Sequence, residues 1–394
     1  MKWTVCIIGG GPCGLLAARE LALRDVNTIV FEEHDKIGEP VHCAGLVGMK
    51  CLRELRVPER EDIVLNVVYG IRLVLPSGST ILLKTGKPMG LVLDRAKFDQ
   101  EIGIEAYNAG AEIMKGHRVV GIRLMERGVK VAVDFKGERK VVLARYVICA
   151  EGMTRRITRS VFKVPKGVLI GIQEEYELPM RIEDRYVTVF LGRRYSQGLF
   201  GWAIPTRYGF RIGTASYRDP MKGLNMIKAT DLVKRMIRGG RIIRRMAGFV
   251  NTQGTLERFS DANDRIFLVG DSAGQNKPLS GGGIYYGGKG ALILANEIVR
   301  EEDIGRNYER KWNAIFGKEI RRMLILRNIM DKLEDREIDI LFKTLFSKEE
   351  ELEELSDYYD SHYMLIKRIL PLRLFNIAKL IFKLGPRLIT KLVI

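Results

Sequence analysis

The chain has 394 residues, 46% hydrophobic and 29% charged, which is long for one domain and too apolar for a disordered one. Its formal net charge is +17, and after Asp360 no acidic residue follows while Lys367, Arg368, Arg373, Lys379, Lys383, Arg387 and Lys391 do. Cys6, Cys13, Cys43, Cys51 and Cys149 are odd in number and not spaced as metal ligands, and the four histidines form no HxxxH pair. A disulfide framework and a metal site are therefore not expected, and a reducing, cytoplasmic setting is.

Residues 3–8 read as a short buried strand, residues 15–23 as an apolar helix, and residues 27–31 as a second strand ending at Glu32. Between strand and helix lies Gly9-Gly10-Gly11-Pro12-Cys13-Gly14, which satisfies G-x-G-x-x-G in the required context. Gly9 permits the tight turn, Gly11 lets backbone approach a diphosphate, and Gly14 allows the helix to pack on the strand. Glu32 stands where a ribose hydroxyl is read, and the helix N-terminus favours phosphate.

Further along, residues 64–83 alternate around Pro76-Ser77-Gly78 and predict a hairpin, and residues 94–109 predict a helix closed by Gly110. Strands are expected over 119–125, 129–135 and 141–150, and the stretch 167–217 has the composition of an antiparallel sheet. A buried strand at 265–269 and a helix at 284–300 return the chain to the first domain. From 308 onward the pattern is helical, broken at Pro371 and Pro386. The expected fold class is α/β. A discontinuous Rossmann-like domain takes 1–65, 85–160 and 256–305, a substrate sheet takes 66–84 and 161–255, and a helical C-terminal region takes 306–394.

Three stretches resemble the cofactor fingerprints of glutathione-reductase-like flavoproteins and flavin hydroxylases. They are Phe267-Leu268-Val269-Gly270-Asp271-Ser272-Ala273, Cys149-Ala150-Glu151-Gly152 (with Glu151 where that class usually has Asp), and Leu93-Asp94-Arg95-Ala96-Lys97-Phe98-Asp99. Within that class the chain resembles the geranylgeranyl reductase family, especially its archaeal digeranylgeranylglycerophospholipid reductases. The resemblance is carried by the loop Gly38 to Gly45 around Cys43, by Phe200-Gly201-Trp202-Ala203-Ile204-Pro205, and by Pro278 to Ile284. Lys277 departs from the Asp that often precedes that proline.

The resemblance implies FAD as cofactor, held by Gly9, Gly11, Cys13, Gly14, Glu32, Cys43, Ala44, Gly45, Arg95, Val119, Asp271, Gly283 and Ile284. It implies that Cys43 works beside the flavin and that Trp202 walls the substrate cavity; read from the residues alone, a small buried hydrophobe is the commoner reading of such a cysteine. The implied reaction saturates carbon–carbon double bonds of a polyprenyl lipid with hydride from reduced FAD, and an external electron donor is implied because no second G-x-G-x-x-G follows another strand. The alternative is a flavin-dependent oxygenase or halogenase, since Phe200 to Pro205 also resembles W-x-W-x-I-P; Lys84 or Lys87 would then be the catalytic lysine. A non-catalytic basic protein is the third reading, and the intact glycine turn speaks against it. Lys379, Lys383, Arg387 and Lys391 recur every four residues against an apolar face, which suits either an anionic membrane surface or packing on the protein itself. Aromatic RNA-binding motifs are absent, and nucleic acid is not an expected partner.

Overall fold

The computed structural model describes residues 3–165 and 167–369. The basic tail helix expected around Lys379 to Lys391, with its breaks at Pro371 and Pro386, lies outside the described residues.

The first sheet grows from Trp3–Ile8, which pairs in parallel with Thr28–Phe31 on one side and Glu138–Cys149 on the other. Alternation is lost in these strands because both faces are covered; Val5, Cys6, Ile7, Val30, Val147 and Ile148 are all fully buried. Glu112–Met114 extends the sheet beyond Thr28–Phe31. The twelve-residue strand Glu138–Cys149 serves two partners: its first half pairs antiparallel with Gly128–Phe135, and its end pairs in parallel with Ile266–Leu268. In register, Ile8 faces Phe31 and Cys149, and Cys149 faces Leu268. The residues that follow (Gly9, Glu32, Ala150 and Val269) therefore emerge at one carboxyl edge, the usual place for a ligand in such sheets.

The first helix is Pro12–Ala22, starting three residues earlier than the apolar pattern predicts. Pro12 sits in its first turn, where a missing N–H costs nothing. It packs against Ile284–Arg300, whose face of small residues makes the approach possible. A Cβ at Gly287 would lie 2.7 Å from both the Cys13 sulfur and the Gly270 Cα. Arg95–Asn108 covers the same sheet, with Asp94 as its N-cap accepting from the Lys97 amide at 3.1 Å.

The second sheet has eight strands among the described residues, in the order 241–250, 169–177, 209–216, 201–205, 187–190, 70–74, 80–84 and 349–351. It is antiparallel except where Val187–Phe190 joins Gly70–Val74 and where Glu349–Glu351 joins Thr80–Lys84. Two expectations change here. The predicted hairpin over 64–83 splits: Val64–Val68 leaves to form a small sheet with Leu46–Gly48 and Gly90–Leu93, and only Gly70–Val74 and Thr80–Lys84 make the hairpin. Nor is the C-terminal region wholly helical, because Glu349–Glu351 adds a strand to the second sheet. Helical periodicity could not reveal that strand, which consists of three consecutive glutamates held by an edge, not by burial. Helices Pro220–Lys228 and Asp231–Met236 pack over one face of this sheet, with Leu224, Ile227 and Val233 buried.

Candidate functional site

The glycine turn is built by contact. Gly9 has φ +107°, and a Cβ there would meet the Ala150 carbonyl oxygen at 2.5 Å; a Cβ on Gly14 would collide with the Gly9 carbonyl. Gly11 differs, since nothing stands within 4 Å of where its Cβ would be. Only the two outer glycines are demanded by the protein's own packing. The middle one is demanded by nothing in the chain and faces a cavity, which leaves its backbone open to close approach by a ligand.

That cavity, of about 860 Å³, is lined by Gly9, Gly11, Cys13, Glu32, Cys43, Ala44, Gly45, Arg95, Val119, Asp271, Gly283 and Ile284. Gly14 does not line it and acts through helix packing. The same cavity is lined by Trp202 and by apolar residues that include Leu73, Val189, Leu191, Phe200 and Phe342. Glycine-turn residues and apolar side chains therefore share one volume.

Glu32, at the end of its strand, accepts the Gly10 amide at 2.7 Å and the His34 amide at 2.9 Å, so its carboxylate is held in a fixed orientation at the cavity. Val119 lies buried at the start of Arg118–Met125, close by because the His117 amide donates to the Glu32 carbonyl at 2.8 Å. Asp271 is half-buried, and desolvation pushes its carboxyl above the usual carboxylate range against the opposing pull of Arg155 and Arg95. Arg155 donates from Nε to the Asp271 carbonyl at 2.9 Å. Glu151, standing where Asp is usual, accepts from the Ile157 amide at 2.9 Å and the Thr158 hydroxyl at 2.7 Å and so ties its own loop together.

Arg95 is 9% exposed and places Nη2 at 2.9 Å from both oxygens of Asp99, four residues on along the helix. Its Nε is buried without a partner. A buried guanidinium N–H left open is costly, and here it belongs to a side chain that lines the cavity. With the open space at Gly11, this makes the residues present a fit for a dinucleotide. Ile284–Arg300 begins at Gly283 with no side-chain cap, so its N-terminus has no side-chain anion of its own.

Cys43 is half-buried, and its sulfur accepts the Gly45 amide at 3.4 Å. Cys6, Cys51 and Cys149 are buried, and burial pushes their thiols up, which makes them inert packing residues. The Trp202 indole donates from Nε1 to Gln173 Oε1 at 2.7 Å and meets the Phe200 ring edge-on at 6.4 Å between centroids. Lys84 and Lys87 do not line the cavity. Lys84 pairs with Glu349, and Lys87 with Asp357 at 2.7 Å. Among the described residues no cluster of three metal-ligating side chains occurs and no helix is long and apolar enough to cross a membrane.

A family model described as "FAD binding domain" matches residues 2–300. The chain belongs to the FAD-binding domain family. Its cofactor is FAD, and it is an FAD-dependent oxidoreductase. The flavoprotein is 29% identical over 368 residues to the digeranylgeranylglycerophospholipid reductase of Methanothrix thermoacetophila, covering 89% of this chain and 93% of the relative. It superposes on a geranylgeranyl bacteriochlorophyll reductase-like structure from Thermoplasma acidophilum with a TM-score of 0.79 at 21% identity, over 94% of this chain and 99% of the other. A halogenase solved with FAD shares the fold at a TM-score of 0.68 and 15% identity, over 96% and 86% of the two chains.

Residues that sequence reasoning did not assign also stand at the cavity. Asp99 was legible as the i+4 partner of Arg95. Gln173, Tyr359 and His362 line the wall, and they come from strands and a C-terminal segment whose approach no local pattern signals.

Proposed function

We propose that this flavoprotein saturates carbon–carbon double bonds in the geranylgeranyl or other polyprenyl chains of archaeal-type ether lipids. The observation that carries the reading is that one cavity is lined by the glycine turn, by the Cys43 loop and by apolar residues around Trp202. The relatives named as digeranylgeranylglycerophospholipid reductases support the same substrate class.

Bound and reduced FAD would supply a hydride to one alkene carbon, and a proton from a nearby donor or water would reach the other. Gly9, Gly11 and Cys13 at the first helix, Glu32 at the ribose, and Arg95 and Asp271 at the middle would hold the cofactor. Val119 would lie beside its adenine. Cys43, Ala44, Gly45, Gly283 and Ile284 would border the ring. An isolated alkene gives the protein no polar handle, so positioning must come from shape. Trp202 contributes by holding its ring fixed through Gln173, and Leu73, Val189 and Leu191 exclude water from the chain. An external electron donor re-reduces the enzyme.

The deciding experiment is anaerobic incubation of the dithionite-reduced protein with unsaturated archaeal-type lipid, followed by mass spectrometry. Mass should rise by two hydrogens per step; an unchanged mass would remove the proposal. The halogenase reading has the shared fold in its favour, and oxygen- and halide-dependent turnover would support it. Against it, both candidate lysines are engaged by acidic residues of the C-terminal region, outside the cavity.

A further inference from the structure

Lys277 is a buried lysine in the wall of the cavity. Its ammonium lies 3.2 Å from Asp360 Oδ1, with side-chain exposures of 6% and 4%. It also donates to the Tyr359 carbonyl at 3.4 Å and stands 4.5 Å from the centre of the Tyr359 ring. Asp360 arrives on the C-terminal segment, and its own carbonyl accepts the Tyr286 hydroxyl at 2.7 Å. The pair joins the flavin-binding part of the chain to a segment more than eighty residues away.

Burial of two charges is a weak device for joining segments, because desolvation costs several kcal/mol per ion and an apolar pair would hold as well. The position suggests another use. Lys277, Tyr359 and His362 line the same cavity as Cys43 and Gly281 to Ile284, and a Cβ on Gly282 would come 3.0 Å from Lys277 Cε. His362 adds no charge at neutral pH: burial, with Lys277 beside it, pushes its imidazole down to about 3. Glu319, also on the C-terminal side of the chain, accepts the Tyr363 amide at 2.7 Å.

We infer that Lys277, moderated by Asp360, is the charge that sets the reduction potential of the bound flavin. Reduction adds negative charge to the ring system. A fixed cation in a low-dielectric wall favours that state, and a fixed anion opposes it. The inference rests on the reading above that the Cys43 loop and Gly283 border the ring end of the cofactor. The C-terminal segment then does more than close the chamber, since through Asp360 it sets how much of the lysine's charge the flavin feels.

The test is the flavin midpoint potential of the FAD-loaded protein, measured anaerobically by dye equilibration, for wild type, Lys277→Met, Asp360→Asn and the double variant. Lys277→Met should lower the potential, Asp360→Asn should raise it, and the double variant should return near wild type. A purely structural pair predicts no shift or two shifts of the same sign, and either result overturns the inference. Should Lys277→Met fail to retain flavin, Asp360→Asn decides alone: a higher potential supports the inference, and an unchanged or lower one overturns it. The lipid assay is independent, so opposed shifts without alkene reduction would remove the proposed function and leave this inference standing.

Discussion

Arg211 donates from Nε to Glu175 at 3.0 Å and from Nη1 to the carbonyls of Ala44 and Leu93 at 2.9 and 2.8 Å. Arg211 and Glu175 face each other across strands Leu169–Glu177 and Gly209–Ser216, so the second sheet reaches into the first domain. The guanidinium holds the loop after Cys43 and the residue two before Arg95 in one grip. At 2% exposure it has no water to fall back on.

Removing one member of such a pair leaves a buried charge, at about 3–5 kcal/mol. Arg211→Met should therefore lower the urea midpoint markedly and release FAD. The double variant with Glu175→Met should regain much of the stability but not the flavin, because the Ala44 and Leu93 carbonyls still lack their donor. Full flavin retention in the double variant would show that the loop needs no anchor. Urea titrations and flavin absorbance per mole of protein give both readings.

The glycine turn separates folding from cofactor binding. Gly14→Ala drives a methyl into the Gly9 carbonyl and should destabilise the protein with or without flavin. Gly11→Ala meets no protein atom and should fold normally yet hold FAD at least ten-fold more weakly, since the methyl enters space the diphosphate needs. Thermal unfolding of the flavin-free proteins, set against FAD titration, checks both; wild-type affinity in Gly11→Ala would contradict the assignment.

Cys43→Ala should slow alkene reduction or change which bonds are reduced, while stability moves by less than about 1 kcal/mol at this half-buried site. Trp202→Leu should cost more than Gln173→Leu, because the first deletes a cavity wall and the second only its brace. Product mass patterns and rates under anaerobic reductant discriminate these outcomes, and wild-type behaviour of Cys43→Ala would confine that residue to packing.

His362 makes stability depend on pH in a definite direction. Its folded pKa is pushed down to about 3, below the unfolded value of about 6.5, so protonation favours the unfolded chain. This residue's contribution is constant above pH 6.5 and is lost as pH falls toward 3. Between about pH 6.5 and 5 the wild type should lose up to about 2 kcal/mol that His362→Leu does not lose. Urea midpoints across that range measure the difference; parallel curves for the two proteins would exclude a buried neutral imidazole.

Lys87→Ala should leave turnover unchanged, since its ammonium is committed to Asp357 outside the cavity. Loss of oxygen- and halide-dependent product in that variant would reverse the choice between the two flavin chemistries.

Much of the nucleotide half was legible because its signals are local. The turn Gly9 to Gly14, the acidic Glu32 after the second strand and the Asp94 cap each need only a few neighbouring residues to declare themselves. The split of 64–83 was hidden because alternation gives a strand's faces but not its partner, so Val64–Val68 and Gly70–Val74 look continuous while pairing in different sheets.

The sequence by itself determined an α/β dinucleotide-binding fold, since backbone amides, glycines and an acid at fixed spacing suit a diphosphate and a ribose, and resemblance in three further stretches pointed to FAD and to the direction of the search for a substrate. Tertiary structure alone decided which groups join across distance: Arg211 with the Cys43 loop, Asp360 with Lys277, and Glu349 to Glu351 along Thr80–Lys84. Those contacts come from chain closure and burial, which depend on the whole molecule and leave no periodicity in any one segment.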